Sequence, residues 1–213
     1  HCKRHAYTMK AKWGATIEGK ILAAQCEIWA NGGAYCYTSN KVLGNATLLA
    51  TGPYEVPNVA TDAYAVYTND IPGGAFRGFG GPQAAFMAEM QMDKLAEKLG
   101  MDPVELRMRN LFKEGSIISM GSVLPEGVTI REVTERCALE AGWTKTDSGW
   151  KRPTPSISKN PNVKSGWSLV CGYKNVGFSY GAPENCGATI ILEGDQEVEI
   201  AKLYHAGADV GQG

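Results

Sequence analysis

Residues 73–83 read Gly73-Gly74-Ala75-Phe76-Arg77-Gly78-Phe79-Gly80-Gly81-Pro82-Gln83, and this stretch constrains the chain more than any other. Glycine buries no side chain and loses the most freedom on folding, so five glycines here imply a backbone that must turn sharply or approach something closely. Pro82 carries the φ that a first helical residue needs and predicts a helix starting there. The free N–H groups and positive dipole end of that helix face back into the loop, where they suit an oxyanion, a phosphate or a metal-bound oxo group.

Phe76 and Phe79 flank Arg77 in a loop that should otherwise be polar, and one ring could be presented to a planar ligand. The usual nucleotide fingerprints are absent. No Lys-Ser or Lys-Thr follows the glycines, and the G-x-G-x-x-G spacing is missing. The competing reading is a plain glycine turn, with Arg77 solvated and both rings in the core.

With 213 residues the chain supports one sizeable core or two small ones. A formal net charge of −1 gives no reason to expect nucleic acid or a membrane surface as partner, and no apolar run is long enough to span a bilayer. The six cysteines are scattered without a C-x-x-C pair, which predicts reduced, mostly buried thiols in a cytoplasmic protein, and the opening His1-Cys2-Lys3-Arg4, with no apolar stretch after it, predicts no signal peptide. His1, His5 and His205 are not spaced as metal ligands.

Residues 6–30 alternate between apolar and polar, with Tyr7, Met9, Ala11 and Trp13 and then Leu22, Ala24, Cys26 and Ile28 on the inner face. That period predicts a long antiparallel hairpin turning at Glu18-Gly19-Lys20, broken by Asn31-Gly32-Gly33. A short helix over 39–50 and a strand over 59–67 follow, the strand feeding directly into the glycine loop. Helices are expected over 82–99, stopped by Gly100, from Asp102-Pro103, and from a capping box at Thr129-Ile130-Arg131-Glu132. The buried stripe of the last is expected to be Ile130, Val133, Cys137 and Ala141. The fold class is α+β. Residues 1–143 form the main region, the polar, proline-bearing stretch 144–164 is a linker or surface loop, and 165–213 is β-rich, with strands over 167–178, 188–192 and 198–204.

The loop sequence, the helix containing Ala88-Glu89 and the later Leu106-Arg107-Met108-Arg109-Asn110-Leu111 resemble the molybdopterin-binding subunit of the xanthine dehydrogenase and aldehyde oxidase family. The resemblance runs from Arg4-His5 through Gly52-Pro53-Tyr54 and Pro57-Asn58-Val59 to Gly211-Gln212-Gly213, yet it covers only part of such a subunit, so the chain looks like a fragment of a larger molybdenum-cofactor-binding domain. It implies a molybdopterin cofactor, often a cytosine dinucleotide, with Phe76, Arg77 and Gly78 and the terminal Gly211, Gln212 and Gly213 against it. The Arg77 contact is its backbone amide, beside a molybdenum-bound oxygen. Iron–sulfur and FAD modules are the implied partners. The family's general base, a glutamate, has no counterpart here, so no catalytic residue is assigned.

For substrate, the resemblance implies Phe79 and Phe178 holding a planar aromatic molecule and Ser179 offering a hydroxyl beside it. Asn45 stands where purine-oxidising members carry an arginine, and an amide lacks the charge that stabilises an anionic purine oxygen. The implied activity is hydroxylation of an aromatic N-heterocycle or an aldehyde with oxygen from water, with the isolated fragment inactive. The alternative is a non-catalytic binding or assembly module using the loop for a nucleotide or a protein.

Overall fold

The computed structural model describes residues 3–154, 160–175, 183, 185–207, 209 and 211. The α+β class holds. Strands β1 (Tyr7–Ala15) and β2 (Ile21–Gly33) form the expected antiparallel hairpin, with Gly19 at φ +82° in its turn. The inner face carries Tyr7, Met9 and Ala11 against Cys26, Ile28 and Ala30. Leu22 departs from expectation. A register shift at Gly14/Ala15 breaks the alternation there, and Leu22 is exposed.

Strand β2 runs on through Asn31 and Gly32 rather than breaking at them, because β3 (Asn58–Tyr67) pairs alongside in parallel as far as Gly33 opposite Tyr67. The crossover carries helix α1 (Ser39–Leu48), since parallel neighbours cannot be joined by a tight turn. Helix α2 (Gly81–Leu99) packs on β1 and α1, so both helices cover one face of the sheet, with Ala46, Leu48, Leu49 and Ala84 at their contact. Gly100, at φ +63°, ends α2 as expected.

Helix α3 (Pro103–Asn110) begins as the sequence predicts, the Asp102 carboxylate accepting from the Val104 N–H at 2.8 Å. Its Arg107 is fully buried and pairs with Glu89 (2.7 Å) and Asp93 (2.9 Å) of α2, while the Tyr54 hydroxyl donates to Glu89 at 2.5 Å. Burial works against that guanidinium charge, but Tyr54, Glu89 and Asp93 outweigh it and hold the arginine firmly protonated. This cluster ties α2 to α3.

Helix α4 (Ile130–Glu140) forms where expected but with a different inner face. Thr134 and Ala138 are buried, whereas Val133 is 60% exposed and Cys137 is exposed. The line Ile130–Thr134–Ala138 faces inward because Thr134 satisfies its hydroxyl on the Ile130 carbonyl (2.7 Å) beside Cys171. The capping box is also absent, since Thr129 sits at φ −105°, ψ 8° and makes no side-chain cap bond. Cys36, Cys137 and Cys186 are exposed and only Cys26 and Cys171 are buried, so the thiols are free but not mostly buried among the described residues.

The stretch after α4 opens as a small hairpin, β4 (Thr144–Thr146) and β5 (Gly149–Lys151), whose Trp150 reaches the core with its backbone N–H on Glu105. Along residues 167–175, Leu169 and Cys171 are buried and Tyr173 packs edge-on against Phe112, whereas Trp167 touches Trp143 but is 43% exposed, and no strand pairing forms among the described residues. Over 167–175 the expected strand therefore has part of its burial pattern but no ladder, and its last positions, 176–178, lie outside the described residues. Strands β6 (Ala188–Glu193) and β7 (Ile200–His205) form the last hairpin, with every residue exposed.

Candidate functional site at the glycine loop

The loop lies just beyond β3 and runs into α2. A Cβ at Gly80, which has φ +90°, would stand 2.3 Å from the Val42 carbonyl, and one at Gly78 would stand 2.6 Å from the Pro82 ring. Glycine is required at both places by contact as well as by conformation. Two turns follow one another. Phe79 N–H donates to Phe76 O (2.8 Å) with Gly78 at φ +90°, the pattern of a type II turn; Gly81 N–H then donates to Gly78 O (2.8 Å) with Phe79 at φ +47° and Gly80 at +90°, the pattern of a type I′ turn. A non-glycine residue at positive φ costs about 1–2 kcal/mol, so Phe79 is held where its conformation alone would not keep it.

The rings do not sit in the core. Phe76 is 47% exposed, Arg77 is exposed, and Phe79 is half-buried. Among the described residues, the N–H groups of Phe76, Arg77 and Gly78 have no hydrogen-bond partner. A run of open amides ahead of a helix start, with successive left-handed residues, forms a concavity that suits an anionic oxygen.

Several residues from distant elements hold this shape. The N-terminal segment runs beside the loop, with Gly74 N–H on Lys3 O at 3.0 Å. Arg4 donates from Nη2 to the Arg77 carbonyl (2.6 Å), lies over the Phe76 ring at 4.5 Å, and keeps Nη1 buried without a partner among the described residues. His5 is buried, Nε2 on Ser39 Oγ at 2.8 Å, and packs so closely that a Cβ at Gly73 would stand 2.4 Å from its ring. Burial pushes the His5 pKa down. Gln83 donates to the His5 carbonyl at 3.2 Å.

Asn45, 4% exposed on α1, donates from Nδ2 to the Phe79 carbonyl (2.7 Å), while its Oδ1 is buried with no partner among the described residues. The structure therefore brings Asn45, Phe76, Arg77, Gly78 and Phe79 together. Gly211 lies in the exposed segment past β7, its N–H on Asp209, and Phe178, Ser179, Gln212 and Gly213 fall outside the described residues. Sequence reasoning did not single out Arg4 as a partner of the loop. Nothing in the local sequence signals it, because the contact joins residues 73 positions apart.

The open amides, the glycine positions no side chain could occupy and the unpartnered Arg4 Nη1 all fit an oxygen-rich, negatively charged group. Residues 1–111 match the model of the molybdopterin cofactor-binding domain, and the chain belongs to this family of molybdenum hydroxylase subunits. It is 44% identical over 148 residues to the nicotinate dehydrogenase large molybdopterin subunit of Eubacterium barkeri, covering 68% of this chain and 35% of that protein. It is 42% identical over 192 residues to a probable xanthine dehydrogenase subunit from Bacillus subtilis (strain 168), covering 90% of this chain and 22% of that one. The solved aldehyde oxidoreductase from Desulfovibrio gigas superposes with a TM-score of 0.61 at 34% identity, over 66% of this chain and 15% of that chain. The chain thus spans about a third or less of the length of these relatives. Among the described residues no helix is long and apolar enough to cross a membrane, and no cluster of side chains could hold a metal ion directly.

Proposed function

We propose that this chain is the part of a cytoplasmic molybdenum hydroxylase that lays the glycine loop over the molybdenum cofactor and lines one wall of the substrate site. The observation that carries the reading is the row of unpartnered amides at Phe76, Arg77 and Gly78 beside a left-handed Phe79. In this role the Arg77 and Gly78 N–H groups donate to the cofactor's oxygen side and Phe76 closes the loop over it, while Gly211, Gln212 and Gly213 approach the pterin or its phosphate, in a cytosine dinucleotide form. When bound, the cofactor supplies a two-electron oxidation that uses oxygen from water. The chain's own residues bind and orient. Phe79 and Phe178 take a flat molecule between them and Ser179 offers one hydrogen bond. Electrons leave through iron–sulfur and FAD partners.

Asn45 argues for a substrate other than xanthine. It carries no charge, and its amide nitrogen is already committed to the Phe79 carbonyl. An aromatic N-heterocycle or an aldehyde fits better. The test uses the full-length protein, with molybdenum measured per chain and initial rates taken on nicotinate, benzaldehyde and xanthine. Stoichiometric molybdenum, with nicotinate or benzaldehyde oxidised well ahead of xanthine, is the expected result. Absence of molybdenum, or xanthine as the best substrate, would overturn it.

A further inference from the structure

We infer that Arg4 and Asn45 are a pair of positioning residues that set the direction of the loop's amides by clamping the carbonyl on the other side of each peptide plane. The inference rests on the cofactor reading for what those amides face, and on the loop geometry for everything else. A trans peptide holds its C=O and N–H antiparallel, so whatever grips the carbonyl fixes where the next N–H points. Arg4 grips the Arg77 carbonyl at 2.6 Å, which is the central peptide of the first turn, and so aims the Gly78 N–H away from Arg4. Asn45 grips the Phe79 carbonyl at 2.7 Å, the central peptide of the second turn, and so aims the Gly80 N–H away from α1.

The central peptide is the part of a turn that flips most easily, because type I and type II turns differ by its rotation. With Gly78 at φ +90°, nothing intrinsic to that residue stops the flip. The guanidinium does. It also lies over the Phe76 ring at 4.5 Å, which fixes the residue preceding the flipped plane. Asn45 has the harder task, since Phe79 is the one residue of the loop whose φ of +47° is unfavourable for its type. The two clamps come from separate elements, one from the N-terminal segment and one from α1. Each leaves one polar atom buried and unpartnered, Arg4 Nη1 and Asn45 Oδ1. An unsatisfied buried atom is unfavourable and is tolerated here because a nitrogen of the same side chain, Arg4 Nη2 or Asn45 Nδ2, holds a specific backbone shape.

The decisive experiment compares Arg4→Met, Arg4→Lys and Asn45→Asp in the full-length protein, reading amide hydrogen exchange by segment and molybdenum per chain. Arg4→Met keeps the stem but removes the donor, Arg4→Lys keeps a charged donor, and Asn45→Asp keeps the shape but turns the donor into an acceptor facing a carbonyl. Arg4→Met and Asn45→Asp should speed exchange of the turn-bonded Phe79 and Gly81 amides within segment 76–81 at least about fivefold and lower the molybdenum content, with β2 exchanging as in the parent. Arg4→Lys should restore most of the protection. Unchanged exchange over 76–81, or an acceleration shared equally by β2, would overturn the clamp. A parent protein without molybdenum would sink the cofactor reading instead, and the exchange data would still decide whether the two side chains hold the loop.

Discussion

The glycine loop and the β6–β7 hairpin are both backbone-rich segments near the surface, yet they are held in opposite ways. The loop has few side chains to bury and is fixed from outside, by Arg4, His5, Asn45 and the close approach of α1. The hairpin has Ile190, Ile191, Leu192, Ile200, Leu203 and Tyr204 available and leaves all of them exposed, its order resting on its own ladder. A segment is thus made rigid by its neighbours and not by its own apolar content. Two strands alone are marginal in water, so the hairpin has little support among the described residues.

The contrast can be broken most severely at the buried ion cluster beneath the loop's helix. Arg107→Met leaves the Glu89 charge buried and uncompensated, and should lower stability by about 3–5 kcal/mol. Denaturant unfolding followed by Trp fluorescence measures it, and a loss under about 1 kcal/mol would show that solvent reaches the cluster. Gly80→Ala comes next. A methyl 2.3 Å from the Val42 carbonyl, at φ +90°, should reduce stability by about 2 kcal/mol or more, because backbone and not a pliable side chain is in the way.

A smaller effect should follow pH. His5 is held neutral by burial, its pKa below the ordinary 6.5, so the unfolded chain takes up a proton first as pH falls. Stability from this site is complete above about pH 6.5 and declines below it, and the slope between about pH 7 and 5.5 should flatten in His5→Gln. Equal slopes in the two proteins would assign the pH dependence to other groups. Leu203→Ser should change least, within about 0.5 kcal/mol, since its side chain leaves no cavity. A large loss there would mean that the hairpin has a packed partner in solution.

Much of this was legible beforehand, for identifiable reasons. Period-two alternation located β1 and β2, Asp102 and Pro103 fixed the start of α3, and Pro82 and Gly100 bounded α2 to within a residue. Errors arose where a polar side chain could be satisfied locally or a pattern shifted register. Thr134 looks like a surface residue but caps its own hydroxyl and turns α4, which exposes Val133 and Cys137. Leu22 follows the alternation in sequence and leaves it at a bulge. At the site, the glycine loop announced itself by composition, but its two clamps did not. Arg4 has no motif of its own, Asn45 was placed at the substrate wall by the family resemblance and not as a holder of the loop, and both contacts exist only once the sheet and α1 are assembled.

That separation has a consequence for biosynthesis. Arg4 leaves the ribosome 73 residues ahead of the carbonyl it will hold, an interval of roughly 4–15 s at about 5–20 residues per second. During that time the guanidinium has no Arg77 to bind, while β1 and β2 can already pair beside it. The loop backbone is therefore among the last features of this region to take its final form, and a translational pause before residue 77 would delay it without disturbing the sheet on which it rests.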